Sequence, residues 1–192
     1  MFDYNQYWSE IGKTMKSKWY PSEITRNQEY NILESLKGLK FDSVLELGVG
    51  FGRITNIIIN NFKIKRYTGV DLSKEQLEHV KRDFPSVEII HSTIEDFVSK
   101  DTWDLVIASE VLMHIIPRNI DYILKKMLKW SKKYIVSLDY NPTESARFNQ
   151  LDTHNWEYDY KEKYSMLGLD VKERRISDLQ SIFICRVKQN EI

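Results

Sequence analysis

Three glycines at positions 48, 50 and 52 separate an apolar run from a helix-period segment in Val44-Leu45-Glu46-Leu47-Gly48-Val49-Gly50-Phe51-Gly52-Arg53. A chain that turns this tightly can bring bare backbone against a ligand, in space that a Cβ would fill. The spacing narrows the ligand. A dinucleotide loop, G-x-G-x-x-G, needs its third glycine at 53, where Arg53 stands, and a phosphate loop needs Lys followed by Ser or Thr; the chain has neither here. About twenty residues on, Asp71 ends the run Gly69-Val70-Asp71-Leu72-Ser73. A carboxylate there can accept hydrogen bonds from both hydroxyls of a ribose. Its other use would be to cap the next helix, a task for which Ser73 is better placed.

These residues need elements to hold them, and the chain supplies alternating short apolar runs and helix-period segments, the pattern of βαβ units and a mostly parallel sheet. Strands are expected at Ser43–Leu47, Tyr67–Val70, Val87–Ile90, Asp104–Ala108 and Tyr134–Leu138, mostly Val/Ile/Leu-rich as strands covered on both faces should be. Helices are expected at Arg53–Asn61, Lys74–Arg82 and Asn119–Trp130. Ser73 reads as an N-cap with Gln76 as its capping-box partner. A helix over Ser22–Leu36 puts Ile24, Ile32, Leu33 and Leu36 near one face. Glu157–Leu167 reads as a helix stopped by Gly168. Two strands, Leu169–Ile176 and Ser181–Val187, then form a hairpin about the turn Ser177-Asp178-Leu179-Gln180, which adds an antiparallel strand.

Composition bounds the function. The 192 residues suit a single domain with a continuous core, and 42% hydrophobic with 29% charged residues is a globular balance. Lys+Arg and Asp+Glu are equal at 28 each, which weighs against a nucleic-acid partner, whose phosphates reward excess positive charge. Clusters such as Lys13–Lys18 and Lys172–Arg175 are interleaved with acids and read as solvated faces. The one cysteine, Cys185, lies in the apolar run Ile182–Cys185 and reads as a buried thiol. The opening segment lacks the plan of a signal peptide and no apolar stretch is long enough to span a bilayer, so a cytoplasmic location is expected.

Taken together, the Glu46-Leu47-Gly48-x-Gly50-x-Gly52 loop, Asp71, the segment Trp103-Asp104-Leu105-Val106-Ile107-Ala108-Ser109-Glu110-Val111-Leu112-Met113-His114-Ile115 and the terminal hairpin resemble the class I S-adenosylmethionine-dependent methyltransferases. The resemblance runs from about Phe41 to Val187. It implies an α/β fold with a Rossmann-like, doubly wound, seven-stranded sheet, mostly parallel with a C-terminal antiparallel hairpin strand. It implies S-adenosylmethionine as cofactor. Glu46 and the loop from Gly48 through Val49 and Gly50 to Gly52 would face its methionine part, Asp71 the ribose and Leu72 the adenine, with Arg53 also binding the cofactor. Thr93 and Ile94 would lie beside the adenine, although many members carry an acid where Thr93 stands; Glu95 or Asp96 would then substitute. Ser109 would meet the methionine end through its backbone.

Methyl transfer from a sulfonium is an in-line displacement whose leaving group needs no acid. The enzyme aligns a nucleophile and excludes water, and needs a base only where the acceptor must lose a proton. The candidate bases are His114, Glu110, Asp139 and His154. All but His154 follow expected strands at their C-terminal ends, where open α/β sheets build sites. For His114 a packing role beside the cofactor stands as the alternative, and His91 reads as adenine-side. Glu110, Asp139 and Asn141 could hold magnesium for an O-methylation, but their spacing is imperfect and no metal is expected. Asn141-Pro142-Thr143 reads as a plain turn.

Two aromatic regions lie outside the core elements: Tyr4, Tyr7, Trp8, Trp19 and Tyr20 in an N-terminal cap over residues 1–40, and Tyr140, Phe148, His154, Trp156, Tyr158 and Tyr160 around an insertion over residues 140–158. Both read as loops or a short helix, serving either as surface packing or as a lid over an acceptor. The expectation is one domain over residues 1–192 that methylates O or N of a small molecule. The alternatives are a protein or RNA acceptor, or a module that binds S-adenosylmethionine without turnover. The acceptor and the oligomeric state are not written in the sequence.

Overall fold

The computed structural model describes residues 3–140, 148–150 and 154–188. The chain divides into two compact units, residues 1–97 and 98–192. The first holds α1 (Tyr4–Gly12), α2 (Met15–Trp19), α3 (Glu23–Leu36), β1 (Ser43–Leu47), α4 (Arg53–Asn61), β2 (Arg66–Asp71), α5 (Lys74–Asp83) and β3 (Glu88–His91). Strand β2 is central, parallel to β1 from Ser43↔Arg66 to Leu47↔Val70 and parallel to β3 from Thr68↔Glu88 to Asp71↔His91. All five residues of β1 are buried, as a strand covered on both faces requires. Val44, Leu45, Leu47, Ile58, Val70 and Val80 are wholly buried, each of them contributing about 1.5–3 kcal/mol by leaving water.

The second unit holds β4 (Trp103–Ser109), a 3₁₀ turn (Leu112–His114), α6 (Pro117–Trp130), β5 (Ser131–Tyr140), β6 (Phe148–Gln150), β7 (Trp156–Tyr158), α7 (Tyr160–Met166), β8 (Asp170–Arg175) and β9 (Gln180–Arg186). Strands β4 and β5 are parallel; β9 runs antiparallel between β5 and β8. Helix α6 buries Ile120, Ile123, Leu124, Met127 and Trp130, a stripe of helical period. The two units supply the seven strands of a Rossmann-like α/β fold, mostly parallel with an antiparallel C-terminal hairpin. No described helix is long and apolar enough to cross a membrane. Cys185 is buried, and burial pushes its thiol far above the ordinary range.

Three expectations need correction. The segment from Glu157 is not helical throughout: Trp156–Tyr158 forms β7, paired antiparallel with β6, and α7 begins only at Tyr160. Asp159 sets that start by accepting from the Glu162 N–H at 2.8 Å, while the partner that draws Trp156–Tyr158 into a strand lies at Phe148–Gln150, beyond the reach of local periodicity. In α3, Ser22 is the N-cap rather than the first helical residue, joined to Thr25 in a reciprocal box. The buried stripe of α3 is Gln28, Ile32, Ser35 and Leu36, and Ile24 is 68% exposed. Of the loop or short helix expected for the N-terminal aromatics, the structure has helix: Tyr4, Tyr7 and Trp8 lie on α1, Trp19 ends α2, and Tyr20 follows it.

Candidate functional site

The glycine loop leaves β1 with Gly48, Gly50 and Gly52 at φ 69, 54 and 88, the left-handed region that side chains with a Cβ avoid. The backbone N–H groups of Gly48 and Val49 both donate to the Val70 carbonyl, at 2.8 and 3.0 Å, which pins the loop to the neighbouring strand. The Gly50 N–H donates to Asp71 Oδ2 at 2.8 Å, and the Ser73 N–H donates to Asp71 Oδ1 at 2.8 Å. One carboxylate therefore ties the loop to the start of α5. The Leu72 N–H is a third backbone donor to the same carboxylate, whose two oxygens hold about four lone pairs between them. Burial raises the Asp71 carboxyl against the lowering effect of those N–H bonds.

Glu46, 2% exposed, lies behind the loop. Its Oε2 accepts from Thr55 Oγ1 at 2.6 Å and from the Tyr67 hydroxyl. Burial pushes this carboxyl up to about 7 in spite of both bonds. Arg53 opens α4, and its charge bears on Tyr20 and Glu29. Burial is the main cause of the upward shift of the Tyr20 phenol and of the Glu29 carboxyl that accepts its hydrogen bond.

At the C-terminal ends of β2 and β3 lies a cavity of about 390 Å³ lined by Ser9, Leu72, Lys74, Glu75, His91, Ser92 and Thr93. It brings together Leu72 and Thr93, both expected beside adenine, and His91. The His91 Nε2–H donates to the Leu72 carbonyl at 2.9 Å, fixing that tautomer. Thr93 Oγ1 donates to Asp96 Oδ2 at 2.8 Å and accepts the Asp96 N–H at 3.0 Å. The Ile94 side chain is only 8% exposed and belongs to the core.

Sequence reasoning missed what covers the loop. The capping box expected of Gln76 is only half formed: Ser73 Oγ accepts the Gln76 N–H at 3.4 Å, but the Gln76 amide turns away and its Nε2 donates to Met15 Sδ at 3.4 Å. The Gln76 Oε1 is buried without a hydrogen-bond partner, and a Cβ on Gly50 would stand 3.2 Å from it. Gly12, at the end of α1, lies so close to Ser73 that a Cβ there would collide with its Oγ. Tyr20 packs on Phe51 with centroids 5.5 Å apart, and Lys16 pairs with Asp83 at 3.2 Å. The N-terminal cap thus packs on the loop and α5 of its own unit. The only local hint was its aromatic content; the side chains of Tyr4 and Trp19 lie outside the described residues.

In the second unit, Ser109 ends β4 and Glu110 follows at φ 58, a conformation rare for a residue with a Cβ and a recognised form of stored strain. Its N–H donates to the Leu138 carbonyl at 2.7 Å, and its Oε1 accepts from Gln180 Nε2 at 3.0 Å. Asp139 is fully buried and its Oδ1 accepts the Met113 N–H at 3.2 Å. His114 donates from Nδ1 to the His154 carbonyl at 3.1 Å, and the two imidazoles stack at 5.7 Å. That bond leaves Nε2 as the acceptor nitrogen of the neutral His114 ring. Of the four expected bases, His114 and His154 are in contact, Glu110 is held by Gln180, and Asp139 is sealed from solvent. Gln180 escaped the sequence because it reads as a turn residue. Asn141, Pro142 and Thr143 lie outside the described residues. Among those described, no group of three or more His, Cys, Asp or Glu could hold a metal.

The glycine-turned loop braced by a carboxylate, and the antiparallel C-terminal hairpin on an α/β fold, are the features that the sequence resemblance implies. Residues 44–134 match the family model of a methyltransferase domain. The fold resembles that of DhpI in its SAH complex, with a TM-score of 0.78 and 18% identity over 95% of this chain and 94% of that one. It also resembles the N-methyltransferase NodS from Bradyrhizobium japonicum WM9 in complex with S-adenosyl-L-homocysteine, with a TM-score of 0.75 and 14% identity over 97% and 100% of the two chains. A curated relative, (S)-coclaurine N-methyltransferase of Thalictrum flavum subsp. glaucum, is 28% identical over 126 residues, which is 62% of this chain and 34% of that protein. The chain thus spans about a third of that relative's length. The matched residues make up just under half of the chain, and together with the loop and the fold they make it similar to the class I S-adenosylmethionine-dependent methyltransferases.

Proposed function

We propose that this chain works as one methyltransferase domain, which binds S-adenosylmethionine through the glycine loop and Asp71 and methylates N or O of a small molecule. The observation that carries this reading is the Gly50 N–H···Asp71 bond inside a loop of three left-handed glycines. That loop keeps Cβ atoms out of the ligand's space, and Asp71, already taking three backbone N–H groups, keeps acceptor capacity for a ribose hydroxyl. The cavity lined by Leu72, His91 and Thr93 suits the flat base, and the buried Gln76 Oε1 offers an acceptor to a polar hydrogen of the ligand. Gly48, Val49, Gly52 and Arg53 would surround the methionine part, with Glu46 behind them and Ile94 serving through its backbone.

Bound S-adenosylmethionine supplies a methyl group on a sulfonium. The protein's share is alignment and exclusion of water. His114, its Nδ1–H committed to the His154 carbonyl, carries its ring lone pair on Nε2, the nitrogen that would take an acceptor's proton. Glu110 is the second candidate, its carboxylate oriented by Gln180. The relative's N-methyltransferase name, attached to a small organic acceptor, favours nitrogen and a small molecule.

Radiolabelled methyl donor incubated with fractionated small-molecule, protein and RNA pools tests the reading, beside calorimetry with S-adenosylhomocysteine. Label in the small-molecule pool is expected. Label confined to protein or RNA moves the acceptor class. Binding without label in any pool makes the chain a sensor or support module. No binding by the wild-type chain refutes the cofactor assignment.

A further inference from the structure

The residue types offer Asp139 as a proton acceptor, but its surroundings give it other work. A general base must come within hydrogen-bond reach of the proton it takes, and Asp139 has no exposed surface. Burial, with a smaller push from the Glu110 charge, raises its carboxyl well above the ordinary range against the pull of the Met113, Leu112 and Val111 N–H groups. Its Oδ2 is buried without a hydrogen-bond partner, which leaves the other oxygen as the working acceptor. That acceptor, Oδ1, takes the Met113 N–H at 3.2 Å.

The stretch that Asp139 holds is the one that carries the reacting candidates. Glu110 enters it at φ 58 with its N–H on the Leu138 carbonyl, one residue before Asp139. The 3₁₀ turn Leu112–His114 follows, and the Tyr158 hydroxyl donates to the Ile115 carbonyl just beyond. The left-handed Glu110 backbone is strained for a residue with a Cβ and persists only where its neighbours over-determine it. Leu138, Asp139, Tyr158 and Gln180 supply that determination from one strand, one hairpin and one antiparallel partner.

We infer that Asp139 is a positioning residue: its buried carboxyl oxygen fixes the turn after β4 and so sets where Glu110 and His114 stand. The inference rests on the methyltransferase reading for its consequence in turnover, and on the geometry alone for its consequence in structure. The acceptor capacity of Asp139 matters and its charge does not, so a carboxamide should replace it and an apolar isostere should not.

The test compares Asp139→Asn and Asp139→Leu in the full chain. Imidazole nitrogen–proton NMR reports the His114 Nδ1–H bond whether or not an acceptor is in hand. Turnover is followed with labelled S-adenosylmethionine and the fraction that accepts label, and cofactor-site integrity by S-adenosylhomocysteine calorimetry. Asp139→Asn should keep the His114 signals and stay within about threefold of wild-type kcat. Asp139→Leu should shift or broaden them and lose about a hundredfold in kcat, the scale of a misplacement near 1 Å, with KM for S-adenosylmethionine within about twofold. If the leucine chain does not fold, Asp139→Ser, too short to reach Met113, takes its place. A folded asparagine variant as inactive as the leucine one would overturn the inference, as would a leucine or serine variant with wild-type His114 signals. A wild-type chain that neither binds S-adenosylhomocysteine nor transfers methyl defeats the functional reading instead, and the NMR comparison still decides the positioning role.

Discussion

Replacing Glu46 by glutamine should make the protein more stable above neutral pH, and the size follows from the site. The Glu46 carboxyl is 2% exposed, and burial lifts it from its usual 4.5 to about 7 although Thr55 and Tyr67 both donate to it. Below pH 4.5 it is protonated in folded and unfolded chains alike, and its full contribution to stability is present. Between 4.5 and about 7 the unfolded chain ionises first, so the native state loses stability as pH rises. At about 1.4 kcal/mol per pH unit the loss reaches about 3 kcal/mol. Asp71 and Asp139, also raised by burial, slope the same way in both proteins, so the difference between them isolates Glu46. In the Glu46→Gln variant the carboxamide carbonyl keeps two lone pairs for Thr55 and Tyr67. Urea unfolding followed by far-UV circular dichroism across this pH range should show the stability difference between variant and wild type growing by up to about 3 kcal/mol on the alkaline side. Parallel curves, with a constant difference at all pH values, would refute the reasoning.

Gly52→Ala places a Cβ at φ 88 and 2.8 Å from the Phe84 ring, which should cost about 1–3 kcal/mol in thermal unfolding. Asp71→Asn turns one of two accepting oxygens into a donor that faces either the Gly50 or the Ser73 N–H; about 1–3 kcal/mol of stability should go, with a parallel loss of S-adenosylhomocysteine affinity by calorimetry. Cys185, fully buried and with its thiol held up by burial, should resist iodoacetamide in the native chain at mildly alkaline pH and react fully in urea; native-state labelling followed by mass spectrometry checks this.

Much of the fold was legible because its signals are local. Strand Ser43–Leu47 and helix Arg53–Asn61 fall at the bounds that apolar run and period imply, and Ser73 caps α5 as its residue type suggests. Trp156–Tyr158 misled because its strand character comes from a partner at Phe148–Gln150 and not from its own spacing. Ile24 shows the same limit: its place on the apolar face of α3 was right by period, but only packing chose Gln28 over it. Glu46 is legible as an acid beside the loop, whereas its raised carboxyl comes from burial, and one of the bonds that oppose the rise is from Tyr67, twenty-one residues away.

The sequence by itself determined the chemistry on offer: glycines where the backbone must turn left-handed, an acid one strand later, and an apolar rhythm that makes strands and helices alternate. Each is a property of one residue or of its near neighbours, and composition and spacing display such properties directly. Only the tertiary structure decided which polar groups lose water and which find partners: Asp139 sealed onto a turn, Gln76 bonded to Met15 rather than closing a cap, Gln180 gripping Glu110. Desolvation and long-range hydrogen bonds depend on what the folded chain brings alongside, and no local pattern encodes that neighbour.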